Sequence, residues 1–336
     1  MKIDIFAHLM PPKYWEFMMN RPHGGHSAMQ YVDIVPTVCN LEARFRIMDR
    51  FPDVLQMLTL AAHIPSDVAE PAEALELSMR INDEMAELVH RYPDRFAGAV
   101  AVAPLNDIDA ALKELDRAVN DLHLRGLLFR VPINDRGPDA PEFTPIYDAM
   151  TRHNLPIWIH PQTSRDIPDY ATEKSGSKYG TWHMWRIIYE TTVAMNRLVF
   201  SGILQKYPTL KVITHHCGAM VPFFSGRIDM HYDLSEMRQA PLQDYKRGLT
   251  EKPIEFFRRF YNDTVTNGNT SALMCGYEFF GADHLLFGTD SPYDAQMGAT
   301  GTISTIEAIQ RMPIPDSDKK KIFEDNAKKL CRLPLG

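Results

Sequence analysis

Four short apolar runs in this chain each end in a side chain that can bind a metal. They are Ile3-Asp4-Ile5-Phe6-Ala7-His8, Pro156-Ile157-Trp158-Ile159-His160, Lys211-Val212-Ile213-Thr214-His215-His216 and Leu285-Leu286-Phe287-Gly288-Thr289-Asp290. Runs this short and this apolar read as buried strands. In a barrel of parallel strands all the carboxyl ends open on one face, so residues far apart in sequence converge there. The ordered series His8, His160, His216, Asp290 therefore predicts a single site, with the imidazole and carboxylate donors that suit a divalent ion.

The rest of the chain fits that frame. Apolar runs near 54–62, 96–104, 124–131 and 259–265 join those at 2–8, 156–161, 210–216 and 284–290, making eight expected strands. Helical periodicity fills most of the gaps, at 72–92, 107–121, 145–153, 191–207, 271–280, 302–311 and 316–331. Regular alternation of strand and helix predicts a (β/α)₈ barrel, one α/β domain over 1–336. An open doubly wound sheet is disfavoured because no glycine-rich phosphate turn follows the first strand. Two long connections, 10–41 and 162–189, follow strands 1 and 5 on the catalytic side. They are rich in aromatic residues, Met, Pro and Gly, and are expected to wall or cover a pocket.

Composition narrows the function classes. A net charge of −7 argues against nucleic acid as the main partner, because phosphate neutralisation needs a basic face. The four cysteines, Cys39, Cys217, Cys275 and Cys331, are scattered without a CxxC pair, as expected of reduced thiols in a cytoplasmic protein. Neither a secretory signal nor a membrane span is read from the sequence.

Any one histidine at a strand end is more often a hydrogen-bonded structural residue than a ligand. Four strand ends carrying metal-capable groups favour the metal. His215 competes with His216: alternation along a strand is expected to turn only one of them inward, and Gly218, easing a sharp turn, favours His216.

The ordered motifs carry a family resemblance over essentially the whole chain. They are Lys2-Ile3-Asp4-Ile5-Phe6-Ala7-His8 with Pro11-Pro12, Glu42-Ala43-Arg44-Phe45-Arg46-Ile47-Met48-Asp49, Tyr92-Pro93-Asp94-Arg95-Phe96 and Trp158-Ile159-His160-Pro161. They continue through Lys206-Tyr207-Pro208-Thr209-Leu210-Lys211, His216-Cys217-Gly218, Pro222-Phe223-Phe224-Ser225-Gly226-Arg227-Ile228 and Phe287-Gly288-Thr289-Asp290-Ser291-Pro292. The chain resembles the amidohydrolase superfamily, and within it the branch typified by aminocarboxymuconate semialdehyde decarboxylase. The resemblance implies one divalent ion, zinc ahead of manganese, on His8, His160 and Asp290. It implies Asp290 as proton carrier, His216 as acid/base group, and Arg44 and Arg227 as grips on a substrate carboxylate. It also implies a homodimer in which Arg227 reaches the neighbour's site. The alternative for Arg44 is a solvated helix face. One departure stands out: the family's His-x-His is Phe6-Ala7-His8 here, and phenylalanine cannot coordinate a metal.

The expected reaction is non-oxidative decarboxylation of a small aromatic, heteroaromatic or dienoic acid: a proton reaches the carbon bearing the carboxylate and CO₂ leaves. Hydrolysis of an amide, lactone or ester is the alternative on such a barrel, with hydration of an unsaturated acid as a variant. A binding barrel that has lost its metal is the non-enzymatic reading.

Overall fold

The computed structural model describes residues 1–20, 34–61, 63–238 and 249–335. Part of the connection expected to wall the pocket after strand 1 lies outside the described residues. Seven strands form among those described: β1 (Lys2–Leu9), β2 (Val54–Leu60), β3 (Phe96–Ala99), β4 (Leu127–Val131), β5 (Ile157–Pro161), β6 (Val212–Thr214) and β7 (Tyr261–Asn262). All pair in parallel, as β1-β2-β3 and β4-β5-β6-β7. An Ala101–Leu127 bridge joins the two groups, and the segment 285–291 closes the ring. On one side of that segment Leu286 N donates to Asn262 O; on the other Ile5 N donates to Phe287 O and His8 N to Ser291 O. The (β/α)₈ barrel is complete.

The eighth run is not a ladder strand as expected, because side chains take its backbone donors. Thr289 N donates to the Asp4 carboxylate at 3.0 Å and Gly288 N to Thr264 Oγ1 at 3.0 Å. β7 is cut to two residues for a related reason: the Asp263 carboxylate accepts Val265 N at 2.9 Å.

Near-continuous apolar strands predict burial on both faces. From Ile3 to Leu9 every residue of β1 is buried, Asp4 and His8 included. Trp158 on β5 is fully buried, and its indole N–H donates to Ile5 O at 3.1 Å, tying β5 to β1. Helices start where the sequence offers caps: Asn40, Asp107 and Asn269 each accept a backbone N–H three residues on, worth about 1 kcal/mol apiece.

The expected helix over 191–207 is two, Ile187–Phe200 and Ile203–Lys206, divided at Gly202, whose φ is 77°. The helix Ser225–Arg238, whose apolar periodicity is weak, was not anticipated, nor was the helix Pro12–Met19. No helix among the described residues is long and apolar enough to cross a membrane.

Candidate metal centre

His8 is the last but one residue of β1. It is 1% exposed, and its Nδ1 pairs with Thr59 Oγ1 at 3.0 Å, which turns Nε2 towards Asp290. His8 Nε2 lies 3.0 Å from Asp290 Oδ1, yet it is buried without an aligned hydrogen bond. From β5, His160 donates from Nδ1 to Pro161 O at 2.6 Å, which leaves its Nε2 lone pair for the centre.

His215 follows directly on β6 and is 1% exposed. Its Nδ1 is bonded to the buried carboxylate of Asp263, and its Nε2 is 3.4 Å from Asp290 Oδ1. Ligand atoms of His8, His160 and His215 lie within 4.8 Å of one another, as do those of His215, His216 and Asp290.

These separations fit a cation. Four donors about 2.0–2.1 Å from a tetrahedral ion stand about 3.4 Å apart, close to the 3.0 and 3.4 Å that separate Asp290 Oδ1 from the two imidazole nitrogens. The orphaned Nε2 of His8 beside a carboxylate oxygen is what two ligands of one ion look like before it is added.

Electrostatics agree. Burial pulls His8 down, outweighing the Asp290 carboxylate, and pulls His160 well down, with the Arg130 charge adding to it. Both imidazoles are therefore neutral, as ligands must be. Burial also lowers His216, to about 3, with His215 adding to the effect. Burial alone would raise Asp290, but His215 and His8 hold its carboxyl well below the usual carboxylate range. His215 goes the other way: burial opposes its proton, but Asp263 and then Asp290 outweigh it and raise the imidazole to about 9.

Two expectations need correction. Alternation does not choose between His215 and His216, because the strand has ended at Thr214. His216, Cys217, Gly218 and Ala219 all have positive φ, between 54° and 74°. This left-handed turn brings both imidazoles to the centre, their ring centroids 3.9 Å apart. Left-handed backbone costs roughly 1–2 kcal/mol for each non-glycine residue. Asp263 offsets part of that by accepting His216 N at 3.1 Å and Cys217 N at 2.9 Å. Gly218 is required there: a Cβ would sit 2.5 Å from the Phe280 ring.

The solvated helix face does not hold for Arg44: it is 2% exposed, with Nη1 donating to His8 O at 2.8 Å and Thr37 O at 3.3 Å, Nε to Gln56 at 2.9 Å, and Nη2 buried without a partner among the described residues. Its guanidinium holds the main chain that carries His8. Arg227 is exposed at the start of the helix Ser225–Arg238, and no hydrogen bond or ion pair among the described residues joins it to the centre.

Asp263 was not singled out from sequence, although it lies within the apolar run at 259–265, the kind of signal that marked the other four strands. Arg130, in register with His160 on β4, and Tyr293, its ring 5.3 Å from that of His8, were missed as well. Neither position carries a metal-ligand side chain that would have drawn attention.

Fold and site together define a barrel enzyme of the metal-dependent hydrolase and lyase type. The chain belongs to the amidohydrolase family, whose model matches residues 3–333. It is 29% identical to the γ-resorcylate decarboxylase of Rhizobium radiobacter, over 97% of this chain and 93% of that protein. It is 30% identical to the γ-resorcylate decarboxylase of a Polaromonas species, over 87% of each. Among solved structures, a dihydroxybenzoic acid decarboxylase from Polaromonas, with bound manganese and the inhibitor 2-nitroresorcinol, superposes with a TM-score of 0.78. It is 26% identical and covers 100% of this chain and 98% of that one. These relatives are carbon–carbon lyases, the class expected from the motifs.

Proposed function

We propose that this protein is a metal-dependent, non-oxidative decarboxylase of a small aromatic carboxylic acid, a single barrel domain over 1–336 with His8, His160 and Asp290 in its ligand set. One observation carries the reading: buried imidazoles and the Asp290 carboxylate meet at the strand ends, His8 Nε2 lying 3.0 Å from Asp290 Oδ1 without an aligned hydrogen bond. The decarboxylating relatives support it.

A divalent cation held there would supply positive charge against which a substrate carboxylate and a neighbouring hydroxyl are oriented. Asp290 carries no proton at neutral pH, and its side chain is 27% exposed, so it can accept the proton of a phenolic hydroxyl. His216, neutral at the same pH and within 4.8 Å of Asp290, is the second proton carrier. Delivery of the proton to the ring carbon bearing the carboxylate makes that carbon tetrahedral. The bond to the carboxylate then breaks, CO₂ leaves, and its electron pair restores the ring.

Arg44 is assigned a positioning role through the His8 carbonyl. Arg227 is assigned to the substrate carboxylate in the neighbouring copy of a homodimer, where its planar fork suits such a group. Exposed Phe223, Phe224 and Met230 beside it support an interface, since a monomer rarely leaves such a cluster wet. The four free thiols support a cytoplasmic setting. Zinc and manganese are the two candidate ions, because mixed imidazole and carboxylate donors suit both, and the Polaromonas relative holds manganese.

The test is incubation of the zinc- or manganese-loaded protein with a panel of hydroxybenzoic acids. Release of one CO₂ per acid consumed is the expected result, with Arg227→Ala raising KM and light scattering giving twice the chain mass. A metal-loaded protein that releases CO₂ from no aromatic acid, or that hydrolyses amides or lactones instead, would end the reading.

A further inference from the structure

The position of the family's missing ligand is occupied by Phe6, and Phe6 points to what replaces it. Its ring is fully buried and stacked on His215, with centroids 4.1 Å apart and planes 20° apart. We infer that His215 is the replacement ligand, so that this chain holds its divalent ion through three imidazoles, His8, His160 and His215, and the Asp290 carboxylate. The inference deepens the functional reading above and rests on it.

Three observations converge on His215. It is the one residue common to both groups of potential ligands among the described residues, meeting His8 and His160 in one and His216 and Asp290 in the other. Its Nδ1 is committed to Asp263, so Nε2 is the nitrogen left to face Asp290, at 3.4 Å, close to the spacing of two donors on one tetrahedral ion. A buried carboxylate on the far nitrogen is also the usual way proteins orient a metal-bound imidazole and raise its basicity.

The surroundings fit the same role. Asp263 is wholly buried and bonded on both oxygens, so it anchors the ring without competing for the ion. Phe6 contributes no donor; it supplies a flat apolar wall that leaves the His215 ring little rotational freedom. A donor has thus moved from the end of strand 1 to the end of strand 6, and the side chain at the old position now braces the new one. This divides the labour of the histidine pair, with His215 on the ion and His216, which is outside the group formed by His8 and His160, free to carry a proton.

The inference is tested on metal binding rather than turnover. X-ray absorption of the zinc-loaded wild-type protein is expected to count three imidazoles, and two would overturn the inference without touching the decarboxylase reading. In chelator competition, His215→Ala is expected to weaken zinc binding by about tenfold or more, with the thermal transition of the metal-free protein retained. Placing the lost ligand back, in Phe6→His/His215→Ala, is expected to recover affinity. Wild-type zinc affinity in His215→Ala with turnover abolished would make His215 a proton carrier instead and overturn the inference. If His215→Ala does not fold, the wild-type imidazole count decides. A wild-type protein that takes up no divalent ion overturns both readings; three bound imidazoles with no CO₂ release overturns only the function.

Discussion

The ends of strands 1 and 6 both deliver an imidazole to Asp290 Oδ1, at 3.0 and 3.4 Å, by opposite means. β1 is eight residues long with one register shift between Asp4 and Ala7, bonded to β2 along one edge and to the closing segment along the other. Phe6 and His8, two residues apart, both turn towards the centre, their rings 6.0 Å apart and each in contact with the His215 ring. β6 is only three residues long, and the chain leaves it through four consecutive left-handed residues. Nothing local favours that turn. It is held by Asp263, some 47 residues on in sequence, which takes two backbone N–H groups and the His215 ring. One end is built by periodicity and trimmed by a threonine; the other is strained and depends on a single buried carboxylate.

The comparison breaks hardest at Asp263. Asp263→Ala strands the donors of His216, Cys217 and Val265 and releases His215, all of them at a buried site. A stability loss of about 3–5 kcal/mol is expected in urea unfolding of the metal-free protein; a loss below about 1 kcal/mol would show that the turn holds itself. Asp290 is the group the two ends share. Asp290→Asn removes the proposed charged ligand and proton acceptor together, and CO₂ release is expected to fall by about 10³-fold or more, equivalent to about 4 kcal/mol, with the fold retained. Near-wild-type turnover would separate Asp290 from the chemistry.

At the strand 1 end the expected effects are smaller. Thr59→Val removes only the partner of His8 Nδ1, at a cost of about 1 kcal/mol and about tenfold in zinc affinity, measured by unfolding and chelator competition. An effect as large as that of Asp263→Ala would erase the contrast.

The smallest effect is one of pH. Burial raises the Asp4 carboxyl on β1 to about 7 from its usual 3.8, against hydrogen bonds from Thr289. A raised carboxyl contributes stability that is complete below about 3.8 and is lost as pH rises through about 7, because the folded state keeps a proton that the unfolded chain has released. Asp4→Asn can accept from Thr289 N and donate to Thr289 Oγ1 but cannot ionise. The difference between variant and wild type is expected to move by about 1.4 kcal/mol per pH unit across that window, in favour of the variant as pH rises. A flat difference would mean that Asp4 is ionised in the folded state.

The barrel was legible because its evidence is local. Apolar runs ending in His8, His160 and Asp290 predict strands opening on one face, and those side chains do meet. The run ending in Asp290 reaches the rim but not as a ladder strand, because Asp4 and Thr264, distant in sequence, take its donors. Arg44 reads as solvated from its helical stretch and is instead buried behind His8, a placement set by the Thr37 and His8 carbonyls.

From sequence alone, this protein's parallel ring of strands and most of the side chains at its mouth were determined, since apolar period and strand alternation are encoded within a few residues. Only the tertiary structure decided that two adjacent histidines both reach the site. That arrangement depends on a left-handed turn with no local advantage, held by the Asp263 carboxylate just beyond β7, with Phe6 stacked on the His215 ring.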